Sequence, residues 1–268
     1  MIALERRGGR PLVIAHRGGA ALGPENTLRC FRAAVEARAD LVEFDVLRLR
    51  DGELVLAHSH DLREVSHGAA RGSLRRMTLA EACAFCPELP RLEEALAFFS
   101  EEAPEVGLHV DLKTPRAAGD VARALRRFRL AGRSLVSCAH PGALRAIADA
   151  EKEICTGVAF PRDRLSLHRR RGADLLVRGG LRALRVVATQ AARALLARSG
   201  ASAIILHHAL VTPALVERAH AAGVAVVAWT VDDPADLARV EEAGVDAVVT
   251  DDPARLVSRL DAMRLGAR

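Results

Sequence analysis

The chain has 268 residues, half of them apolar and only 3% aromatic, with 39 basic against 34 acidic side chains and a formal net charge of +5. One α/β barrel commonly needs about 250 residues, so a single large core is allowed, and the aliphatic composition excludes a disordered chain. The positive charge comes almost wholly from arginines spread over every expected helix, without interleaved aromatics for base stacking, so no nucleic-acid partner is expected.

The opening residues, MIALERRGGRP, hold no apolar signal core, and no run reaches the roughly 20 apolar residues that cross a bilayer. A cytoplasmic protein without stable membrane insertion is expected, with reduced thiols, since Cys30, Cys83, Cys86, Cys138 and Cys155 are odd in number and lack a regular framework. The first strand is LVIAH at 12 to 16. Pro24 and the cap-type residues Asn26 and Thr27 then introduce a helix with Leu28, Phe31 and Val35 on one face. A second strand, LVEFDV at 41 to 46, is followed by a turn at Asp51 and Gly52 and by an extra strand ending at His58. Residues 61 to 90 read as a loop-and-helix insertion over a pocket mouth. Cys83 and Cys86 pack there on a short helix, because one CxxC alone cannot close a four-ligand zinc site.

Further strands follow at 107 to 112, 135 to 139, 155 to 160, 202 to 207, 224 to 229 and 246 to 250. Residues 163 to 200 are expected to hold two helices broken at Gly179 and Gly180. Thr212 with Pro213, and Asp233 with Pro234, open helices that Gly223 and Gly244 close. Short, nearly continuous apolar runs alternating with helices predict α/β architecture: a single (β/α)8 TIM barrel spanning 1–268, with an insertion at about 47–105 after strand 2.

Chemistry-bearing residues gather at the ends of these runs. Glu43 and Asp45, two apart on one strand, share a face, and Asp111 joins them from the next strand. Side-by-side carboxylates need compensation, and oxygen-only ligation favours Mg2+ or Ca2+ over zinc. His16 and His58 suit general acid and base, one taking a proton from the attacking hydroxyl and the other protonating the departing alkoxide. Arg17, Lys113 and the amides of Gly18 and Gly19 would meet phosphate oxygens; Lys113 stands out because the only other lysine is Lys152. Glu25 would orient its loop or touch a substrate hydroxyl, and Asn26 would cap a helix. His109, His140, His207 and His208 carry less, with His140 or His207 the first choice for a substrate contact.

HRGG at 16 to 19, PENT at 24 to 27, VEFDV at 42 to 46, DGELVLAH at 51 to 58, DLK at 111 to 113, VAWTVDDPADL at 227 to 237 and GVDAVVTDDP at 244 to 253 resemble the glycerophosphodiester phosphodiesterase family. The resemblance covers essentially the whole chain. It implies a (β/α)8 barrel that hydrolyses glycerophosphodiesters to sn-glycerol 3-phosphate and an alcohol. It also implies His16 and His58 as acid and base, Glu43, Asp45 and Asp111 as metal ligands, Arg17 and Lys113 on phosphate, and Trp229 in the pocket wall. The chain departs from the usual pattern where Asp111 replaces Glu, where Ser59 follows His58 in place of Asp, leaving His60 and Asp61 as a second His-Asp pair, and where Asp232 replaces Asn. Two rival readings remain: phospholipase D-like cleavage of lysophospholipids, and a non-catalytic barrel that binds a phosphate ligand. The expected partner is a small-molecule diester, and the expected assembly a monomer or homodimer.

Overall fold

Parallel strands buried on both faces form where the sequence has its short aliphatic runs. The structure, a computed structural model, describes residues 2–161 and 188–266. In chain order the elements are β1 (Leu12–Ala15), α1 (Leu28–Glu36), β2 (Leu41–Arg48), β3 (Leu54–Leu56), α2 (Leu62–Val65), α3 (Leu79–Cys83), α4 (Leu92–Glu101), β4 (Gly107–Leu112) and α5 (Ala118–Arg127). There follow β5 (Ser134–Cys138), α6 (Pro141–Ala150), β6 (Cys155–Phe160), the helical residues 188–199 (α7), β7 (Ala203–His207), α8 (Pro213–Ala221), β8 (Ala225–Trp229), α9 (Pro234–Glu242), β9 (Ala247–Thr250) and α10 (Pro253–Gly266). The helix break expected at Gly179 and Gly180 lies outside the described residues.

The sheet runs β1-β9-β8-β7-β6-β5-β4-β2, and β1 also pairs with β2, which closes a parallel (β/α)8 TIM barrel; β3 adds antiparallel to the outer part of β2. Strand β2 pairs with β4 only as far as Val46, then leaves the barrel to form a hairpin with β3. Asp45 is therefore the last inward position of β2, although the strand itself continues to Arg48. Leu47, Leu49, Val55, Ala57, Leu62, Leu74, Ala82, Cys86 and Leu89 form a separate small core beneath the segment from β3 to α3, and this buried patch is what holds that segment on the barrel. All five cysteines are free, Cys83 half-buried and the others buried.

Side chains alternate along each strand; the even-numbered positions of β1 and the odd-numbered positions of the other barrel strands face the barrel interior. Leu12, Ile14, Leu41, Leu135, Cys155, Ala203, Ile205, Val227, Ala247 and Val249 fill it, together with Leu4 from the N-terminal segment. The alternate positions, Val13 and Ala15 on β1 among them, pack outward against the helices in the larger core. Phe31, Phe44 and Phe99 lock α1 and α4 onto β2 with ring centroids 5.4 to 5.8 Å apart, and Phe98 packs edge-on against Phe99. Helix starts follow local chemistry: Thr27 accepts from the Cys30 amide, Thr212 from Leu215, and Asp233 from Ala235, the last two preceding a proline in the first turn.

Candidate active site

Continuing each strand's inward alternation to the strand ends places the reactive groups on one side of the barrel. His16 follows Ile14 by two positions, Asp45 follows Glu43, Lys113 follows Asp111, Trp229 follows Val227, and Asp251 follows Val249. The chain therefore brings together the sequence-predicted His16, Glu43, Asp45, Asp111 and Lys113, with Arg17 and Glu25 entering from the turn after β1.

That turn explains the HRGG segment. Arg17, Gly18 and Gly19 all have positive φ, at 51°, 88° and 89°. A Cβ on Gly18 would lie 2.7 Å from the Phe31 ring and one on Gly19 would lie 3.0 Å from Pro253, so both positions require glycine for space as well as conformation. The turn presents the Arg17 amide to Glu43 Oε2 at 2.7 Å. One expectation is corrected here: the Gly19 amide is committed to the His16 carbonyl at 2.7 Å, so the turn itself consumes the donor that was assigned to phosphate.

Asn26 is likewise not a helix cap. It sits in the left-handed region at φ 60°, almost fully buried, and its side chain clamps Asp45. Nδ2 donates to Asp45 Oδ2 at 3.0 Å while Oδ1 accepts from the Asp45 amide at 3.0 Å. Thr27, one residue on, makes the cap.

Glu43, Asp45 and Asp111 each offer an oxygen within 4.8 Å of the others. Lys113 Nζ lies 2.8 Å from Asp45 Oδ1 and also contacts Asp111 Oδ2. The Arg17 guanidinium pairs with Glu25 at 2.8 Å and approaches Asp45 at 3.3 Å, so Glu25 is engaged in holding Arg17. Burial disfavours the charged form of Asp45, but Lys113, Arg17 and His58 outweigh it and hold its carboxyl well below the usual range. Asp111 is lowered too, with Lys113 overcoming burial. Glu43 goes the other way: burial first, then the carboxylates of Asp45 and Asp111, push it well above its ordinary value. Two carboxylates have found cations and the third is crowded by them. An oxygen-preferring divalent cation fits this donor set, since it would supply the charge that Glu43 lacks.

Two imidazoles flank the carboxylates, and each has its own carboxylate behind it. His16 Nδ1 lies 2.6 Å from Asp251 Oδ1 across the barrel closure, and His58 Nδ1 lies 2.9 Å from Glu64 Oε1 in α2. A carboxylate accepts only, so each Nδ1 carries the hydrogen and each Nε2 is left for chemistry. Asp251 is placed in turn by Asp232, whose Oδ1 accepts from the Asp251 amide and the Thr250 hydroxyl, both at 2.8 Å. His60, the neighbour that could have taken the place of His58, has both ring nitrogens buried without hydrogen-bond partners.

The far side of the mouth is built differently. Trp229 donates to the Ile205 carbonyl at 3.3 Å and meets the His207 ring edge-on at 5.3 Å. His207 thus takes an inward position, whereas His140 is exposed at the start of α6 and His109 is buried lower in the barrel. Sequence reasoning missed Asp251, Glu64, Ser137 and the clamping role of Asn26. Counting by twos from Val249 and Leu135 would have found Asp251 and Ser137; Glu64 had no such signal.

Among the described residues, no helix is long and apolar enough to cross a membrane. Residues 16–255 match the model of the glycerophosphoryl diester phosphodiesterase family. A glycerophosphodiester phosphodiesterase of Caldanaerobacter subterraneus is 27% identical over 93% of this chain and 97% of its own. A crystal structure from Silicibacter pomeroyi bearing the family's name matches with a TM-score of 0.75 at 26% identity, covering 97% of this chain and 96% of that one. A phosphodiesterase of Oleispira antarctica, in complex with the product sn-glycerol-3-phosphate, shares the fold with a TM-score of 0.70 at 23% identity over 94% of this chain and 97% of that one. With the barrel, the convergent site and a family match over nearly its full length, the chain belongs to the glycerophosphoryl diester phosphodiesterase family.

Proposed function

We propose that the chain, acting as one barrel domain over 1–268, hydrolyses glycerophosphodiesters to sn-glycerol 3-phosphate and an alcohol, with His16 and His58 as proton-transfer groups. The observation that carries this is the pair of imidazoles, each held at Nδ1 by a carboxylate, on either side of three clustered acids. With Nδ1 occupied, a neutral ring can accept a proton at Nε2 and a protonated ring can donate one there. One ring in each state removes the nucleophile's proton and protonates the leaving alkoxide. Lys113 and Arg17 supply positive charge beside the acids, where the phosphate would sit, and Trp229 with His207 lines the opposite wall.

Glu43, Asp45 and Asp111 would hold the metal, Mg2+ or Ca2+. When bound, such a cation neutralises a non-bridging phosphate oxygen and orients the glycerol hydroxyls. The product found in the Oleispira antarctica protein supports glycerol 3-phosphate as the product here. Five free thiols suit a cytoplasmic setting.

The test is release of glycerol 3-phosphate from a panel of glycerophosphodiesters with Mg2+, Ca2+ or chelator, with a long-chain lysophospholipid for comparison. Release should require the metal, and His16→Ala and His58→Ala should each lower kcat by about 10²–10⁴-fold. Turnover that survives both substitutions would remove the acid/base assignment. Choline release from the lysolipid alone would replace the substrate class.

A further inference from the structure

Directly beneath the acidic cluster the barrel interior holds two polar side chains that the proposed reaction does not use. Ser137, at the inward position of β5 paired with Asp111, is 1% exposed, and His109, two residues before Asp111 on β4, is 2% exposed. The Ser137 hydroxyl donates to Asp111 Oδ1 at 2.7 Å, and His109 Nε2 lies 2.9 Å from the same hydroxyl oxygen. Leu41, Leu135, Cys155 and Ile205 fill the interior layer below, and both side chains are almost fully buried, so these bonds are shielded from water.

The hydrogen directions in this chain are determined. A carboxylate cannot donate, so the Ser137 hydrogen must point at Asp111, and the serine lone pair is then satisfied by an N–H from His109 Nε2. The His109 ring is almost fully enclosed. Its Nδ1 is buried without a partner, so the polar anchoring of the ring runs entirely through Ser137. Asp111 is consequently held from below at Oδ1 by the serine, while Oδ2 meets Lys113 from the side.

We propose that Ser137 and His109 are positioning residues for Asp111, a buried hydrogen-bond relay that sets the orientation of this carboxylate for the metal. The inference rests on the reading of Asp111 as a metal ligand. Neither residue reaches the mouth; Ser137 acts through Asp111, and His109 acts by fixing the rotamer of the serine hydroxyl. Outer partners of this kind commonly tune metal affinity by about 10–100-fold.

The experiment is titration calorimetry of the purified full chain with Mg2+, Ca2+ and Mn2+ in the absence of substrate, alongside thermal melts of each variant without metal. Ser137→Ala should weaken binding by about 10–100-fold while the metal-free melt stays close to wild type. Ser137→Thr, which keeps the hydroxyl, should restore most of the affinity. His109→Gln, which keeps an N–H at similar reach, should bind nearly as wild type, and His109→Leu should lose several-fold. Asp111→Ala is the reference: if it binds metal as wild type, the ligand reading fails, and the relay with it. If Asp111→Ala loses binding while Ser137→Ala and His109→Leu do not, the ligand reading stands and the relay is overturned. Loss in Ser137→Ala that Ser137→Thr does not recover would also overturn it, since packing and not the hydroxyl would then be responsible.

Discussion

Glu64 illustrates how much a single side chain sets at this site. His58 follows a three-residue strand and is held at Nδ1 by Glu64 at 2.9 Å. Removing that charge leaves the ring in place sterically but free to turn its reactive nitrogen away from the mouth. Glu64→Gln is expected to lower kcat/KM by about 10²-fold, the scale at which a misplaced reacting group is felt. Because Glu64 acts through His58, its loss should cost nothing further in a His58→Ala background. Steady-state kinetics on the two single variants and the double variant measures this. Additive losses would show that Glu64 works on substrate or loop independently of His58. The sequence displayed His58 at the end of an apolar run, but its partner was not legible. The carboxylate that meets it depends on how residues 59 to 76 fold back, through the Asp61 to Ser73 bridge and the Leu62 to Gly72 and Leu74 to His60 backbone bonds, none of which has a periodic signature.

At the scale of elements, the segment from β3 to α3 is the least regular part of the site and also supplies Glu64. Its short helices, at four and five residues, have little stability of their own. They are held by the small core of Leu47, Val55, Leu62, Leu74 and Ala82. His60 sits among these elements, and burial, with Arg75 adding to it, holds its imidazole below the ordinary value. An opened segment can take a proton that the closed one resists. The stability this contributes is complete above about pH 6.5 and is lost as pH falls towards the lower value of the closed form. Hydrogen exchange over residues 58 to 76, corrected for intrinsic rates, should therefore show more frequent opening at about pH 5.5 than at about pH 7.5. A His60→Leu variant should lose most of that difference. An unchanged pH dependence in the variant would assign the loosening to other groups. Sequence reading saw an insertion here, and also saw the regular elements elsewhere, since Thr212-Pro213 with Gly223 and Asp233-Pro234 with Gly244 are punctuation that acts locally. Asn26 was misread for the complementary reason: a cap-type residue beside Thr27 looks the same in sequence whether it bonds its own helix or, at positive φ, a carboxylate on β2.

For the molecule as a whole, the barrel separates stability from chemistry along its axis. The eight strand runs were legible because parallel strands buried on both faces must be continuously apolar, and the closed order follows from right-handed βα units. The interior filling was less legible, because which small residues face one another depends on register. Gly157 on β6 shows this. A Cβ there would lie 2.9 Å from Ile205 Cδ1, 3.1 Å from Ile205 Cγ1 and 3.2 Å from Leu135 Cδ1. Both neighbours are enclosed, Ile205 at 4% exposure and Leu135 at 0%, so they have little space into which to retreat. Gly157→Ala is expected to destabilise the fold by about 1–3 kcal/mol, the usual cost of overpacking a closed core, read as a lower urea midpoint with an unchanged slope. Gly157 is in register with Ser137 and through it with Asp111, but the heavy atoms nearest an added Cβ belong to Ile205 and Leu135 and not to Ser137 or any ligand. Metal affinity and KM should therefore stay near wild type below the melting range. A parallel loss of metal affinity and stability in this variant would mean that interior filling and acidic mouth behave as one mechanical unit, with site geometry set by the packing of the entire barrel and not by the local clamps from Asn26, Ser137 and Lys113.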